Sequence, residues 1–114
     1  MSRQRLPSRR ESVSMRISHR SGTGDDQHYE VSFGLHDGRV MECFANSQKT
    51  GSDLQAIIND ACIAMSVLLQ HGARAADLAG MFGENCAEGR TSGPPASPLG
   101  AIARAAARID REAI

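Results

Sequence analysis

The sequence predicts an α+β domain: a three-stranded antiparallel meander packed against two to three helices, in the order βββααα. Apolar and polar residues alternate through three segments between residues 13 and 46, which is the period of half-buried strands. A long apolar stripe at helical spacing begins at Leu54, and Ser97-Pro98 opens a last helical segment. The length of 114 residues suits one core, and we expect a disordered basic tail (1–11) before a single domain (12–114).

Strict alternation predicts the first two strands, separated by a loop rich in Ser, Gly and Asp at 21–26. The residues expected on their buried face are Val13, Met15, Ile17, Tyr29, Val31, Phe33 and Leu35. A third strand should run from about Val40 to Asn46.

The connection His36-Asp37-Gly38 decides which face of the third strand is buried. A two-residue Asp-Gly turn would place Glu42 on the same face as Phe33, whereas a three-residue loop with a bulge at Gly38 shifts the partner by one. We predict the bulged turn, because it leaves Glu42 in solvent. The residues that this register buries are Met41, Cys43 and Ala45. Phe44 then lies on the outer face, where we expect something to cover it.

The strongest predicted helix starts after Ser52 as N-cap, with Asp53 in the first turn, and stops at Gly72. The residues of its predicted core stripe are Leu54, Ile57, Ile58, Ala61, Met65, Leu68 and Leu69. Further apolar residues widen this surface almost all round the second half, namely Cys62, Ile63, Ala64 and Val67. We therefore expect helix 54–71 to pack on the sheet on one side and on another helix, or a second copy of the chain, on the other.

Two shorter helices complete the prediction. The first runs from Arg74 to about Phe82, with Ala75, Leu78, Ala79 and Phe82 toward the core. After an irregular stretch at 83–95, the second runs from Ser97-Pro98 to about Glu112, with Leu99, Ile102, Ala106 and Ile109 on its buried face. The opposite face carries Arg104, Arg108 and Arg111, which we interpret as solvated, with a binding surface as the alternative.

Composition restricts the class of protein. Thirteen basic and thirteen acidic residues cancel, so the chain has no global attraction to nucleic acid or acidic membranes. No apolar run is long enough for a membrane span or a signal peptide, which predicts a cytoplasmic protein. Cys43, Cys62 and Cys86 form no CxxC pair, and we expect reduced thiols. The arginines of the first ten residues indicate a solvated tail, or alternatively an arm that touches phosphate.

Several segments together resemble a known family. They are residues 37–46 (DGRVMECFAN), 49–53 (KTGSD), 64–72 (AMSVLLQHG) and 97–100 (SPLG). Their order and spacing are similar to the TSCPD domain, which ends adenosylcobalamin-dependent ribonucleotide reductases and also occurs as small free-standing bacterial proteins. The resemblance covers about residues 13–110, and the free-standing proteins are the closer match. The T-S-C-P-D sequence of the reductase-attached members is missing: Thr91-Ser92-Gly93-Pro94-Pro95 is its nearest echo and contains no cysteine.

The resemblance implies kinship with ribonucleotide reductase, not its chemistry. Reduction needs a protected thiyl radical, a reducing cysteine pair and an enclosing barrel, and three scattered cysteines in one small core cannot supply them. We therefore expect a non-catalytic accessory or binding module, without cofactor, that associates with copies of itself through helix 54–71. The alternative is a subunit of a ribonucleoside-diphosphate reductase complex, with a reductase chain as partner.

Other functions fit the residues less well. His28 and His36 stand at opposite ends of one strand, about 27 Å apart at about 3.4 Å per residue, so we expect no shared metal site within one chain. A helix-turn-helix nucleic-acid binder, with helices 54–71 and 74–82, is a second alternative. Its recognition helix would carry only Arg74 and Asp77 as charged groups, too few to read bases or hold phosphates.

One loop remains as a candidate site, between the third strand and the first helix. A helix start offers free backbone N–H groups to an anion, and this loop adds a lysine and small hydroxyl residues. We predict a nucleotide or phosphate site there, with an ordinary capped β–α connection as the alternative. The candidate residues are Asn46, Lys49, Thr50, Gly51, Ser52 and Asp53.

Overall fold

The computed structural model describes residues 11–20, 26–47, 53–85 and 93–112. In these ranges three strands precede three helices, which confirms the predicted α+β class. The elements are β1 (Ser12–Arg20), β2 (Asp26–His36), β3 (Arg39–Ser47), α1 (Asp53–Gln70), α2 (Ala75–Met81) and α3 (Pro98–Glu112). The predicted tail, apart from Glu11, and the loop residues 21–25 lie outside the described residues.

The strands form an antiparallel sheet in the order β1-β2-β3. Alternate residues of β1 and β2 enter the core as predicted, because an antiparallel strand sends every second side chain to the same face. Those that are buried are Ile17, Tyr29, Val31, Phe33 and Leu35, while Val13 and Met15 are half-buried against them. On the opposite face, β1 and β2 carry mainly polar side chains, with cross-strand pairs such as Arg16–Glu30 at 3.0 Å.

The β2–β3 turn differs from its prediction. It contains two residues, Asp37 and Gly38, with positive φ angles of 53° and 76°, and His36 pairs directly with Arg39. Asp-Gly suits such a turn because both central positions need positive φ. The three-residue loop predicted from the sequence is therefore wrong.

A bulge inside β3 produces the register that the predicted loop would have given. Leu35 pairs with Val40 and Gly34 with Glu42, so Met41 is the extra residue on β3. Beyond this point Phe33 faces Cys43, as the burial pattern required. The predicted facing of the strand is confirmed: Met41, Cys43 and Ala45 are buried, and Phe44 is 55% exposed on the outer face.

Glu42 does not reach solvent, contrary to the prediction, and is only 8% exposed. It lies opposite Gly34, and the missing side chain of that glycine makes room for the glutamate. A Cβ at position 34 would stand 2.6 Å from the Cγ and 2.8 Å from the Cδ of Glu42. The glutamate therefore lies over the sheet at Gly34 instead of extending away from it.

Two helix ends follow their sequence signals, and the predicted N-cap of α1, Ser52, lies outside the described residues. Gly72, at φ 111°, ends α1: its N–H donates to the Leu69 carbonyl at 3.1 Å, and the Ala73 N–H donates to that of Leu68 at 3.0 Å. These two bonds make a Schellman motif. At the start of α3, the hydroxyl of Ser97 accepts the Gly100 N–H at 3.1 Å, which confirms the predicted N-cap.

The helices cover the inner face of the sheet. α1 packs along β3, while α3 contacts β1 and β3 and is covered in turn by α2. The carboxylate of Asp110 accepts the Val40 N–H at 2.7 Å and so joins α3 to the start of β3. Because α3 lies between the sheet and α2, it buries more than its predicted stripe. Its buried side chains are Ile102, Ala103, Ala105, Ala106, Ala107 and Ile109.

We expect Gly34→Ala to reduce the free energy of unfolding by about 1–3 kcal/mol, as overpacking does, because the new methyl group displaces the Glu42 side chain. In a Glu42→Ala background the same change should be neutral or stabilising, since glycine weakens a strand interior. Urea unfolding of the four variants gives the coupling between the two sites. Equal losses in both backgrounds would contradict this account.

Candidate functional site

Polar side chains of α1 cover the free edge of β3. The Gln55 amide donates to the Ala45 carbonyl at 3.1 Å, and the Gln70 amide donates to that of Met41 at 3.2 Å. Between them, the Ser66 hydroxyl accepts the Cys43 N–H at 3.0 Å. Every second residue of this part of β3 thus bonds to a helix side chain, as it would to a neighbouring strand. The edge is thereby closed to pairing with another chain.

This arrangement corrects the predicted core stripe of α1. The buried face carries Gln55, Ile58, Cys62, Met65, Ser66, Leu69 and Gln70. Leu54, Ile57 and Leu68, all predicted inside, are 39%, 63% and 49% exposed. The helix directs these polar side chains toward β3. Leaving backbone N–H and C=O groups unpaired at a buried strand edge costs more free energy than exposing aliphatic side chains. The helical spacing places three polar residues on the same face as Ile58 and Leu69, namely Gln55, Ser66 and Gln70. That spacing is the sequence signal from which their burial could have been predicted.

Two thiols meet beneath this edge. Cys43 on β3 and Cys62 on α1 are 1% and 2% exposed, and the Cys43 thiol donates to the Cys62 carbonyl at 3.8 Å. The hydrogen bond between the two thiol side chains, together with burial, raises the pKa of the Cys43 thiol, and the same bond lowers the pKa of the Cys62 thiol. Cys43 is therefore a protonated core side chain rather than a nucleophile. Cys86 lies outside the described residues.

The predicted phosphate loop is bounded by two described residues. Asn46 is exposed and pairs with Glu30 in the sheet register, and Asp53 is exposed in the first turn of α1. The bond between Gln55 and Ala45 joins the two elements at the base of the loop. The other candidates, Lys49, Thr50, Gly51 and Ser52, lie outside the described residues.

A second polar cluster surrounds the segment before α3. The Glu84 carboxylate accepts the Gly93 N–H at 2.7 Å, while Arg104 donates to the Gly93 carbonyl at 2.7 Å. The sequence predicted that Arg104, Arg108 and Arg111 are all solvated. This is wrong for Arg104, which is half-buried and hydrogen-bonded, whereas Arg108 and Arg111 are exposed. His19, 7% exposed, binds the Pro95 carbonyl through Nε2 at 3.2 Å.

The histidines do not assemble into a ligand set. His28 bonds to Ser18 at 2.7 Å on the outer face, and His36 approaches Asp37 at 3.5 Å. Within the described ranges, no group of three or more His, Cys, Asp or Glu side chains could hold a metal ion. Nor is any helix of those ranges long and apolar enough to cross a membrane.

The comparison with protein families matches the TSCPD domain over residues 4–109, nearly the whole chain. The chain belongs to the TSCPD domain family. It is thus a small domain related to modules of ribonucleotide reductases. No protein of curated function and no solved structure matches it.

In this TSCPD domain, the second polar cluster holds part of the segment that is nearest in sequence to the cysteine-containing T-S-C-P-D sequence. Thr91 and Ser92 lie outside the described residues, whereas Gly93 and Pro95 are bound through backbone atoms by Arg104 and His19. These contacts fix the path of the chain into α3.

We expect Ser66→Ala to lower the free energy of unfolding by about 1–3 kcal/mol, because it leaves the buried Cys43 N–H without its partner. Ser32→Ala is the matched control: it removes an exposed hydroxyl that bonds to Ser14 at 3.1 Å, and should change stability by less than about 0.5 kcal/mol. Chemical denaturation measures both. Equal effects would show that the edge bonds contribute little.

The raised pKa of Cys43 makes stability depend on pH. Above the ordinary thiol pKa of 9.0 the unfolded chain loses this proton while the folded chain keeps it, so stability falls as pH rises through that value. Because the Cys62 pKa is lowered by its bond to Cys43, the two thiols titrate as a pair. Between about pH 9 and 10.5 we therefore expect the double variant Cys43→Ala/Cys62→Ala to have a shallower decline, by up to about 1.4 kcal/mol per pH unit. Urea midpoints across that range measure the slopes. Parallel slopes would contradict the assignment.

Proposed function

We propose that this TSCPD domain is a non-catalytic binding module that takes the phosphate of a nucleotide at the β3–α1 loop. The observation that carries the proposal is the bond between Gln55 and Ala45, which links strand and helix beneath the loop. A loop with fixed ends loses less conformational entropy when it closes on a ligand. The kinship with ribonucleotide reductase modules makes a nucleotide the appropriate ligand class.

The charges near the loop support an anion of limited size. Lys49 is the only lysine of the chain and gives the loop one positive charge. The loop precedes α1, an 18-residue helix, whose first N–H groups and dipole favour an anion. The carboxylate of Asp53 in the first turn opposes one. Binding should therefore be weak, in the millimolar to high micromolar range, and sensitive to both side chains.

Titration with ADP, ATP and inorganic phosphate should shift the backbone amide resonances of residues 49–53. Lys49→Ala should weaken binding, whereas Asp53→Asn should strengthen it, because the second change removes a like charge from the ligand. Arg108→Gln is the matched control, since it also removes one positive charge, from an exposed position on α3. No shifts at millimolar ligand, or equal effects of Lys49→Ala and Arg108→Gln, would refute the site.

The three ligands separate two forms of the proposal. Tighter binding of ADP than of inorganic phosphate indicates that the base or ribose is also contacted, and equal binding indicates phosphate recognition alone. Association with a reductase chain is the alternative function. Stoichiometric co-purification of a ribonucleotide reductase chain with the tagged protein would favour that subunit role over the free module.

A further inference from the structure

α1 exposes an apolar surface that the described part of the chain leaves uncovered. Leu54, Ile57 and Leu68 are exposed on one flank of the helix, where Ala61 and Ala64 lie between them. We call this set, Leu54, Ile57, Ala61, Ala64 and Leu68, the outer stripe. Its members are spaced alternately three and four residues apart, which is the a/d pattern of helices that pack along one another.

We propose that the outer stripe is a homodimer interface, in which α1 packs antiparallel against α1 of a second copy around a two-fold axis near Ala61. This interface does not depend on the proposed nucleotide site. A two-fold interface must be self-complementary, so that each residue meets its counterpart reciprocally. Symmetry alone allows either orientation of the two helices, and the distribution of side-chain sizes along the stripe favours one of them.

In the antiparallel orientation, Leu54 lies level with Leu68 of the second copy, and Ile57 lies nearly level with Ala64. Ala61 of each copy lies at the centre and lets the two helices approach closely. Ile57 of each copy then fills the space beside the small Ala64 side chain of the other copy. In a parallel pair, Ile57 would meet Ile57 and Ala64 would meet Ala64, which places two large side chains at one level and two small ones at another and fills the space less evenly. Packing therefore favours the antiparallel pair.

Charge favours the same orientation. Asp53 lies at the N-terminal end of α1, and His71 and Arg74 follow its C-terminal end. Antiparallel packing brings the carboxylate of one copy toward the basic end of the other, and it also opposes the two helix dipoles favourably. A parallel pair would place like charges side by side at both ends.

The position of the stripe leaves room for the second copy. At 100° per residue, its centre lies about 120° around the helix from the face that contacts β3. Two domains joined through their stripes would thus extend away from each other. The stripe is about 21 Å long, and one helix flank buries less than the roughly 800 Å² per partner of a standard interface. We therefore expect micromolar rather than nanomolar affinity.

Sedimentation velocity of the full chain from about 5 to 500 µM should show a monomer–dimer equilibrium. Leu68→Glu should raise the dissociation constant about a hundredfold, because it buries an unpaired carboxylate in the interface. Ile63→Glu is the matched control: Ile63 is 60% exposed on the other flank of α1, and its substitution should change the constant less than about twofold. A monomer throughout this range, or a Leu68→Glu variant that dimerises like the wild type, overturns the proposal.

Cross-linking tests the orientation. In a Cys86→Ser background, mild oxidation of Ala61→Cys should give a disulfide-linked dimer, and oxidation of Ile63→Cys should not. When Leu54→Cys and Leu68→Cys chains are mixed, the antiparallel pair predicts the mixed dimer as the main product. A predominance of Leu54→Cys homodimers would indicate parallel helices and refute the geometry.

Discussion

The edge of β3 constrains the rest of the domain. A three-stranded sheet has two edge strands, and β3 lies beneath a helix, where water cannot satisfy its outward N–H and C=O groups. α1 provides the missing partners through Gln55, Ser66 and Gln70. Because these three bonds fix the rotation of the helix about its axis, they also decide which aliphatic side chains enter the core.

The exposed stripe follows from that rotation. An amphipathic helix normally turns its most apolar face inward, but α1 turns a mixed face inward and leaves Leu54, Ile57 and Leu68 outside. The small size of the buried side chains contributes, since Cys62 and Ser66 let the helix approach β3 closely. The sheet and the proposed dimer thus contact two different flanks of α1. A rotation of α1 about its axis would therefore change both contacts.

The sequence predicted the features that depend on local pattern. Alternation located β1 and β2, and Ser97, Pro98 and Gly72 marked helix ends with bonds that the structure contains. It failed where a long-range contact decides between local options. The two-residue turn and the bulge at Met41 give the same burial as a three-residue loop, so periodicity could not separate them.

The site was predicted less completely than the fold, for a related reason. Hydrophobicity ranks Gln55, Ser66 and Gln70 as solvent-facing, and only an unsatisfied strand edge explains their burial. Glu42 was misplaced because its position depends on the space above Gly34 in the neighbouring strand. For the loop 48–52, composition indicates an anion site, whereas the structure describes only the elements at its two ends.

The segment that echoes T-S-C-P-D is held through its backbone by Arg104 and His19, and the two described thiols are buried beneath the β3 edge. None of these groups presents a nucleophile to solvent. The first turn of α1 and its outer stripe are among the features of the described residues that do face outward. Binding at one end of α1 and self-association along its flank would therefore use the same helix, whose position the β3 edge fixes.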